Sequence, residues 1–295
     1  MGVFLAYAAL SLSPHSSFAF EINVLKSKDA KPFDLFLSGF METVPDAKIH
    51  VANMKDDITK GVEILEAFQG ENPQMILALG AKAAWITREV SGIPVIFAMV
   101  SGPEKYKLDD MAGVTFDIPS ETYLKQAKQV MPYLQKVGII HSDDKHIEEV
   151  RHSAKKMELV VLAEKISSLK EIQAATDKLL PEVDALWMLS DPVIMSSPRA
   201  VKELIILRAL RMGVPVIGFN KWLVKNGGAL FCLYSDYDDI GRQTGRLVHK
   251  INRNSSHSHV IEPPEKLKVF MNAHVLERLS QRMIIKIPRN AYFSD

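Results

Sequence analysis

The sequence predicts an α/β protein in two similar halves, each a parallel sheet wrapped by helices. Three observations carry this expectation. Short apolar runs such as Met75-Ile76-Leu77-Ala78-Leu79 alternate with stretches whose apolar residues recur at helical spacing. The alternation continues from Phe20 to Phe219, and strands that are apolar on both sides are those covered by helices on both faces. At 295 residues the chain also exceeds what one compact core usually holds, which favours two domains.

In order, Ile22-Leu25 reads as a strand, and Phe33, Phe36, Phe40 and Met41 mark a helix. Lys48-Ala52 alternates as a strand, and Val62, Leu65 and Phe68 mark the next helix. Met75-Gly80 is a buried strand followed by a helix from Ala81 to Val90; Pro94-Ala98 and Ala112-Phe116 are the strands after it. The second half repeats the scheme, with strands at Lys136-Ile140, Glu158-Ala163, Ala185-Leu189 and Pro215-Phe219. Helices lie between them at Tyr123-Met131, Ile147-Met157, Leu169-Leu180 and Ala200-Met212. Each half is thus expected to hold about four or five strands, a common sheet size. The join at Phe116-Asp117-Ile118-Pro119 is the expected first crossover between halves.

Composition removes several function classes. Lys plus Arg number 36 against 35 Asp plus Glu, a net charge of +1, so the basic excess of a phosphate-contacting protein is absent and no nucleic-acid partner is expected. The lone cysteine, Cys232, excludes an internal disulfide and a zinc site of several thiolates. No G-x-G-x-x-G follows a strand and no phosphate-binding G-x-x-x-x-G-K-S/T occurs, so no nucleotide or other cofactor is expected. Neither a G-x-S-x-G elbow nor a Cys-His arrangement appears, so the chain is not expected to be an enzyme. His257 and His259, in an Asn-Ser-Ser-His-Ser-His stretch, read as a solvated loop, and no metal site is expected.

Residues 1–19 read as a secretory signal peptide. Val3-Leu12 is apolar but too short to span a bilayer, and Ser17-Phe18-Ala19 fits a small-x-small cleavage site. The expected mature chain begins at Phe20 and is exported to the periplasm.

In an open parallel sheet, ligands bind outside the carboxyl ends of the strands. The residues at or just past those ends are Lys26, Ser27, Gly80, Ala81, Val100, Ser101, Asp117, His141, Ser142, Asp143, Ser190, Asp191, Asn220 and Lys221. Small hydroxyl, amide and carboxylate groups dominate, which suits hydrogen bonds to a small polar ligand held between two domains. The same residue types are ordinary helix caps, and Asp191 in particular is either a partner for a ligand ammonium or the cap of the turn that follows. Lys26 and Lys221 favour an anionic group; Asp143 and Asp191 favour an amine.

Several segments together resemble a known family. They are Ile76-Gly80, Ile93-Ala98, Ala185-Pro192, Gly213-Phe219 with Leu223-Leu230, and Tyr234-Gln243. They are similar to the ABC-transporter substrate-binding proteins of the tryptophan/tyrosine-binding type, over about Ile22 to Leu279. The resemblance implies the type I periplasmic binding protein fold: two Rossmann-like lobes with parallel sheets joined by three hinge crossovers, near Asp117, Ser235 and Pro263. It places residues 20–116 plus 236–262 in an N-terminal lobe and 117–235 plus 263–295 in a C-terminal lobe. It further implies capture of a small-molecule ligand and delivery to an ABC permease by a monomer. The chain departs from the family pattern at Ala81, at Gly102-Pro103 and at His141-Ser142-Asp143-Asp144, so the aromatic amino-acid specificity is not carried over. A periplasmic sensor that reports its ligand to a membrane signalling protein would use the same cleft.

Overall fold

The computed structural model describes residues 20–253 and 259–294; the expected signal peptide, its cleavage site and His257 lie outside the described residues. The strands are β1 Phe20–Lys26, β2 Ala47–Asn53, β3 Met75–Leu79, β4 Val95–Val100, β5 Ala112–Thr115, β6 Lys136–His141, β7 Val160–Lys165, β8 Ala185–Trp187, β9 Val216–Ile217, β10 Phe231–Tyr234, β11 Ile261–Glu262, β12 Lys268–Asn272 and β13 Ala291–Ser294. They form two sheets, in the orders β11-β5-β4-β3-β1-β2 and β13-β12-β10-β9-β8-β6-β7. The fold is α/β, with helices packed on two separate sheets.

Both sheets are larger than the expected four or five strands, with six and seven. The additional strands are short and lie late in the chain: β11 has two residues, and β13 has four. The second sheet is also not wholly parallel, because β12 runs antiparallel to β10.

The inner strands of the first sheet are buried on both faces, as their unbroken apolar runs require. Along β1, Ile22 and Val24 point to the core that contains Phe36, Phe40, Leu247 and Val248, while Leu25 points to the core of Leu65, Phe68, Ala83 and Ala84. Complete burial of a residue such as Phe36 contributes roughly 1.5–3 kcal/mol. The second lobe has one core, built around Leu124, Ile139, Leu186, Val201 and Phe231.

Helix Tyr237–Arg253 follows β10 of the second sheet yet packs on helix Lys31–Thr43 against the first. The approach is close enough to require glycine. A Cβ on Gly241 would overlap the Phe36 carbonyl oxygen, and one on Gly39 would overlap the Asp238 carbonyl oxygen.

The chain passes between the sheets three times: from β5 to helix Ser120–Val130, from β10 to helix Tyr237–Arg253, and from β11 to β12. β5 and β11 run with the parallel strands of their sheet, β10 runs with β9, and β12 runs opposite to β10. Each passage therefore leaves from a carboxyl edge, and the last enters β12 at the same edge. The two carboxyl edges are thus the ones that the passages join.

Candidate functional site

All fourteen rim residues lie at these two edges, but the structure commits most of them to local work. On the first rim, Lys26 ends β1 and its ammonium pairs with Asp29 at 3.0 Å and Asp34 at 3.6 Å. Ser27 is buried, and its Oγ accepts a hydrogen bond from the Ala83 amide at 3.0 Å, capping helix Ala81–Thr87. Gly80 enters that helix at φ +92°, where a Cβ would come within 2.7 Å of the Phe33 ring and 2.8 Å of Ser27 Oγ. Ala81 is the first residue of the helix and offers no side-chain donor.

At the end of β4 the backbone turns sharply. Met99 adopts φ +59°, and the β4–β5 register shifts between Ala98 and Val100. Val100 is buried, so its side chain serves the core. Ser101 donates its hydroxyl proton to Asp117 Oδ1, and the Gly102 amide donates to Asp117 Oδ2 at 2.6 Å. Asp117 thus ties the end of β4 to the first passage between the sheets.

On the second rim, Asp191 is buried and accepts four hydrogen bonds. The amides of Val193 and Ile194 reach Oδ1 at 2.9 and 3.0 Å; the amide and hydroxyl of Ser142 reach Oδ2 at 2.6 and 2.8 Å. The carboxylate both caps the short helix Pro192–Met195 and ties the end of β8 to the end of β6. His141 is buried, its Nδ1 3.2 Å from the Asp143 carbonyl oxygen and 3.7 Å from the Asp144 carboxylate. Asp143 and Ser190 are exposed. Asn220 Oδ1 accepts from the Leu223 amide at 2.9 Å, which fixes the turn after β9.

Lys221 differs from the rest. Its ammonium sits 3.4 Å from the centroid of the Tyr234 ring and 5.7 Å from that of Phe270. Desolvation over these rings lowers its pKa, against the opposing pull of Asp236. Neither aromatic belonged to the candidate set. Tyr234 was findable, because it ends the apolar run Phe231-Cys232-Leu233-Tyr234; Phe270 arrives on the antiparallel β12, which no period-2 pattern announced.

Among the tryptophans, Trp187 is a core residue, its ring 5.2 Å from Tyr123. It lines a cavity of about 10 Å³ with Gly138, Leu186 and Ile205, scarcely room for one water. Trp85 and Trp222 are exposed. A cavity of about 170 Å³, bounded by Thr87, Arg88, Val95, Asp110 and Ile251, lies at the amino edge of β4, away from both rims. His259 points Nδ1 at the Asp110 carbonyl oxygen, 2.6 Å away.

The passages themselves are held by a polar lattice. Lys268 pairs with Asp236, Lys266 with Asp239 at 3.0 Å, and Arg242 bridges Glu42 and Asp238 at 2.8 Å each. Gln243 donates to Glu262 at 3.1 Å and to the Pro263 carbonyl at 2.9 Å, and its Oε1 accepts from the Glu265 amide at 2.9 Å. The carboxylates of Asp236, Asp238 and Asp239, which lie close together, are each answered by a cation in this lattice.

No helix among the described residues is long and apolar enough to cross a membrane. The chain is 22% identical over 252 residues to a tyrosine-binding protein of Clostridioides difficile (strain R20291), covering 80% of this chain and 72% of that one. Its fold matches the ligand-free, open structure of a substrate binding protein with adhesive properties from Clostridium difficile, with a TM-score of 0.76 at 19% identity over 94% of this chain and 99% of that one. It also matches a Streptococcus pneumonia domain solved in complex with L-Trp, with a TM-score of 0.54 at 20% identity over 92% and 96%. Residues 35–288 match the family model described as ABC transporter substrate binding protein, and the chain belongs to that family.

Proposed function

We propose that the chain captures a small polar ligand, amino-acid-like or a small carboxylate, in the crevice between its two carboxyl edges, and delivers it to an ABC permease. The observation that carries this reading is the convergence of three interlobe passages on the edges where the fourteen rim residues, most of them polar or small, lie. Short links of this kind let two lobes rotate as rigid bodies, the change being absorbed in a few dihedrals. In this reading the lobes are residues 20–116 plus 236–262 and 117–235 plus 263–295, and Gln243 and Asp117 guide the hinge. Residues 1–19 direct export, so that capture takes place in the periplasm. The reading assigns no catalytic step.

Support comes from the family match, from the tyrosine-binding relative, and from the L-Trp complex of a structural neighbour. A thermal-shift screen of the chain from Phe20 onward, against the amino acids and small carboxylates, tests the reading. A rise in melting temperature with one chemical group of ligands is expected, since a ligand at 100 times its Kd adds about 2.7 kcal/mol to stability. A flat response to the whole screen would count against capture of such ligands.

A further inference from the structure

The two rims each carry a lysine, and only one of them has its charge answered. Lys26 pairs with two carboxylates. Lys221 has no carboxylate within ion-pair distance among the described residues; Asp236, the carboxylate that acts on it, is engaged by Lys268. Its ammonium rests instead on a shelf of two rings, Tyr234 and Phe270, which meet edge to face with centroids 6.4 Å apart. The shelf is a product of register: in the antiparallel β10–β12 ladder Cys232 opposes Phe270 and Tyr234 opposes Lys268, so all four share one face. Asn220, by capping the Leu223 amide, holds the turn that brings Lys221 over the shelf from the end of β9.

A cation–π contact is shallow compared with a charge-assisted hydrogen bond to a carboxylate. A lysine partly stripped of water, without a counter-charge and at a ligand rim, is therefore held ready for an anion. We propose that Lys221 is the anion-recognising residue of the crevice, resting on the Tyr234–Phe270 shelf until a ligand carboxylate draws it away. The inference rests on the solute-receptor reading and deepens it, by naming the residue that meets the ligand's carboxylate. Lys26 takes no part in this recognition, because its two aspartates already satisfy it.

The test is calorimetric titration of the chain from Phe20 onward with matched pairs that differ at the carboxylate: L-tyrosine and tyramine, L-tryptophan and tryptamine, succinate and succinamide. In the pair that binds, the acid should bind at least tenfold more tightly, about 1.4 kcal/mol. Lys221→Met should abolish that ratio, and Lys221→Arg, which keeps the charge, should preserve most of it. Lys221→Gln repeats the neutral substitution should the methionine variant fold poorly. A ratio that survives in both neutral variants, or is lost equally in Lys221→Arg, overturns the role of Lys221. An amine or amide that binds as tightly as its acid overturns it too, and leaves the receptor reading standing. Binding of nothing in the set or in the wider thermal-shift screen sinks both.

Discussion

The two rims of the crevice look alike as lists of residues and differ in what those residues are free to do. On the first rim, Lys26 is neutralised, Ser27 caps a helix, Gly80 is fixed by its backbone, and Ser101 and Asp117 bind each other. On the second, Asp191 and Asn220 are equally occupied, but Lys221 has no carboxylate within ion-pair distance among the described residues. Position at a strand end therefore does not by itself make a ligand group. The polar side chains there first satisfy the helix amides that begin where the strands stop, and only what remains can meet a ligand.

That contrast yields predictions of graded size. The largest effect should come from Asp191→Ala, which leaves the amides of Ser142, Val193 and Ile194 without their acceptor. At roughly 1–3 kcal/mol for each unsatisfied buried group, the loss should reach about 3 kcal/mol in chemical denaturation. A stable Asp191→Ala protein with reduced ligand affinity would instead place the carboxylate in the ligand's first contacts. Gly80→Ala should cost about 1–3 kcal/mol, because it combines a positive φ with a contact to Phe33 that must give way. Ser27→Ala should cost about 1 kcal/mol through the lost cap on Ala83. Smallest of all, Lys26→Met and Lys221→Met should each change stability by no more than about 0.5–1 kcal/mol. If Lys221→Met proves as damaging as Asp191→Ala, the lysine is structural and the contrast between the rims disappears.

Cys232 gives an independent check on the second lobe. It lies beside Tyr234 and Phe270 on the same sheet face, and burial pushes its thiol up to about 12. A thiol reagent at pH 8 should find no reactive cysteine in the folded chain and one after denaturation, since the thiolate fraction is only about one in ten thousand. Rapid labelling of the native protein would mean that the shelf opens to solvent.

The fold was legible where apolar runs are long and both faces are buried, as at Met75–Leu79. It was not legible at β11 and β13, whose short stretches gain order only from neighbours far away in the chain. The rim was legible in position, since strand ends follow from the alternation alone. Its chemistry was not, because occupancy by Ala83, Leu223 or Asp29 depends on tertiary geometry. The segment Tyr234–Gln243, which carries the family resemblance most specifically, proves to build the second passage between the sheets. Gly241 admits helix Lys31–Thr43, Arg242 bridges Glu42, and Gln243 pins the stretch from Glu262 to Glu265.

The central claim is that ligand is held between the two carboxyl edges by movement of the lobes about these passages. Small-angle scattering on the chain from Phe20 onward, with and without a saturating ligand identified by the thermal-shift screen, tests it most directly. The account predicts a smaller radius of gyration on saturation, as the lobes close over the crevice. Saturated binding with an unchanged radius would contradict it, and would place the ligand on one lobe alone.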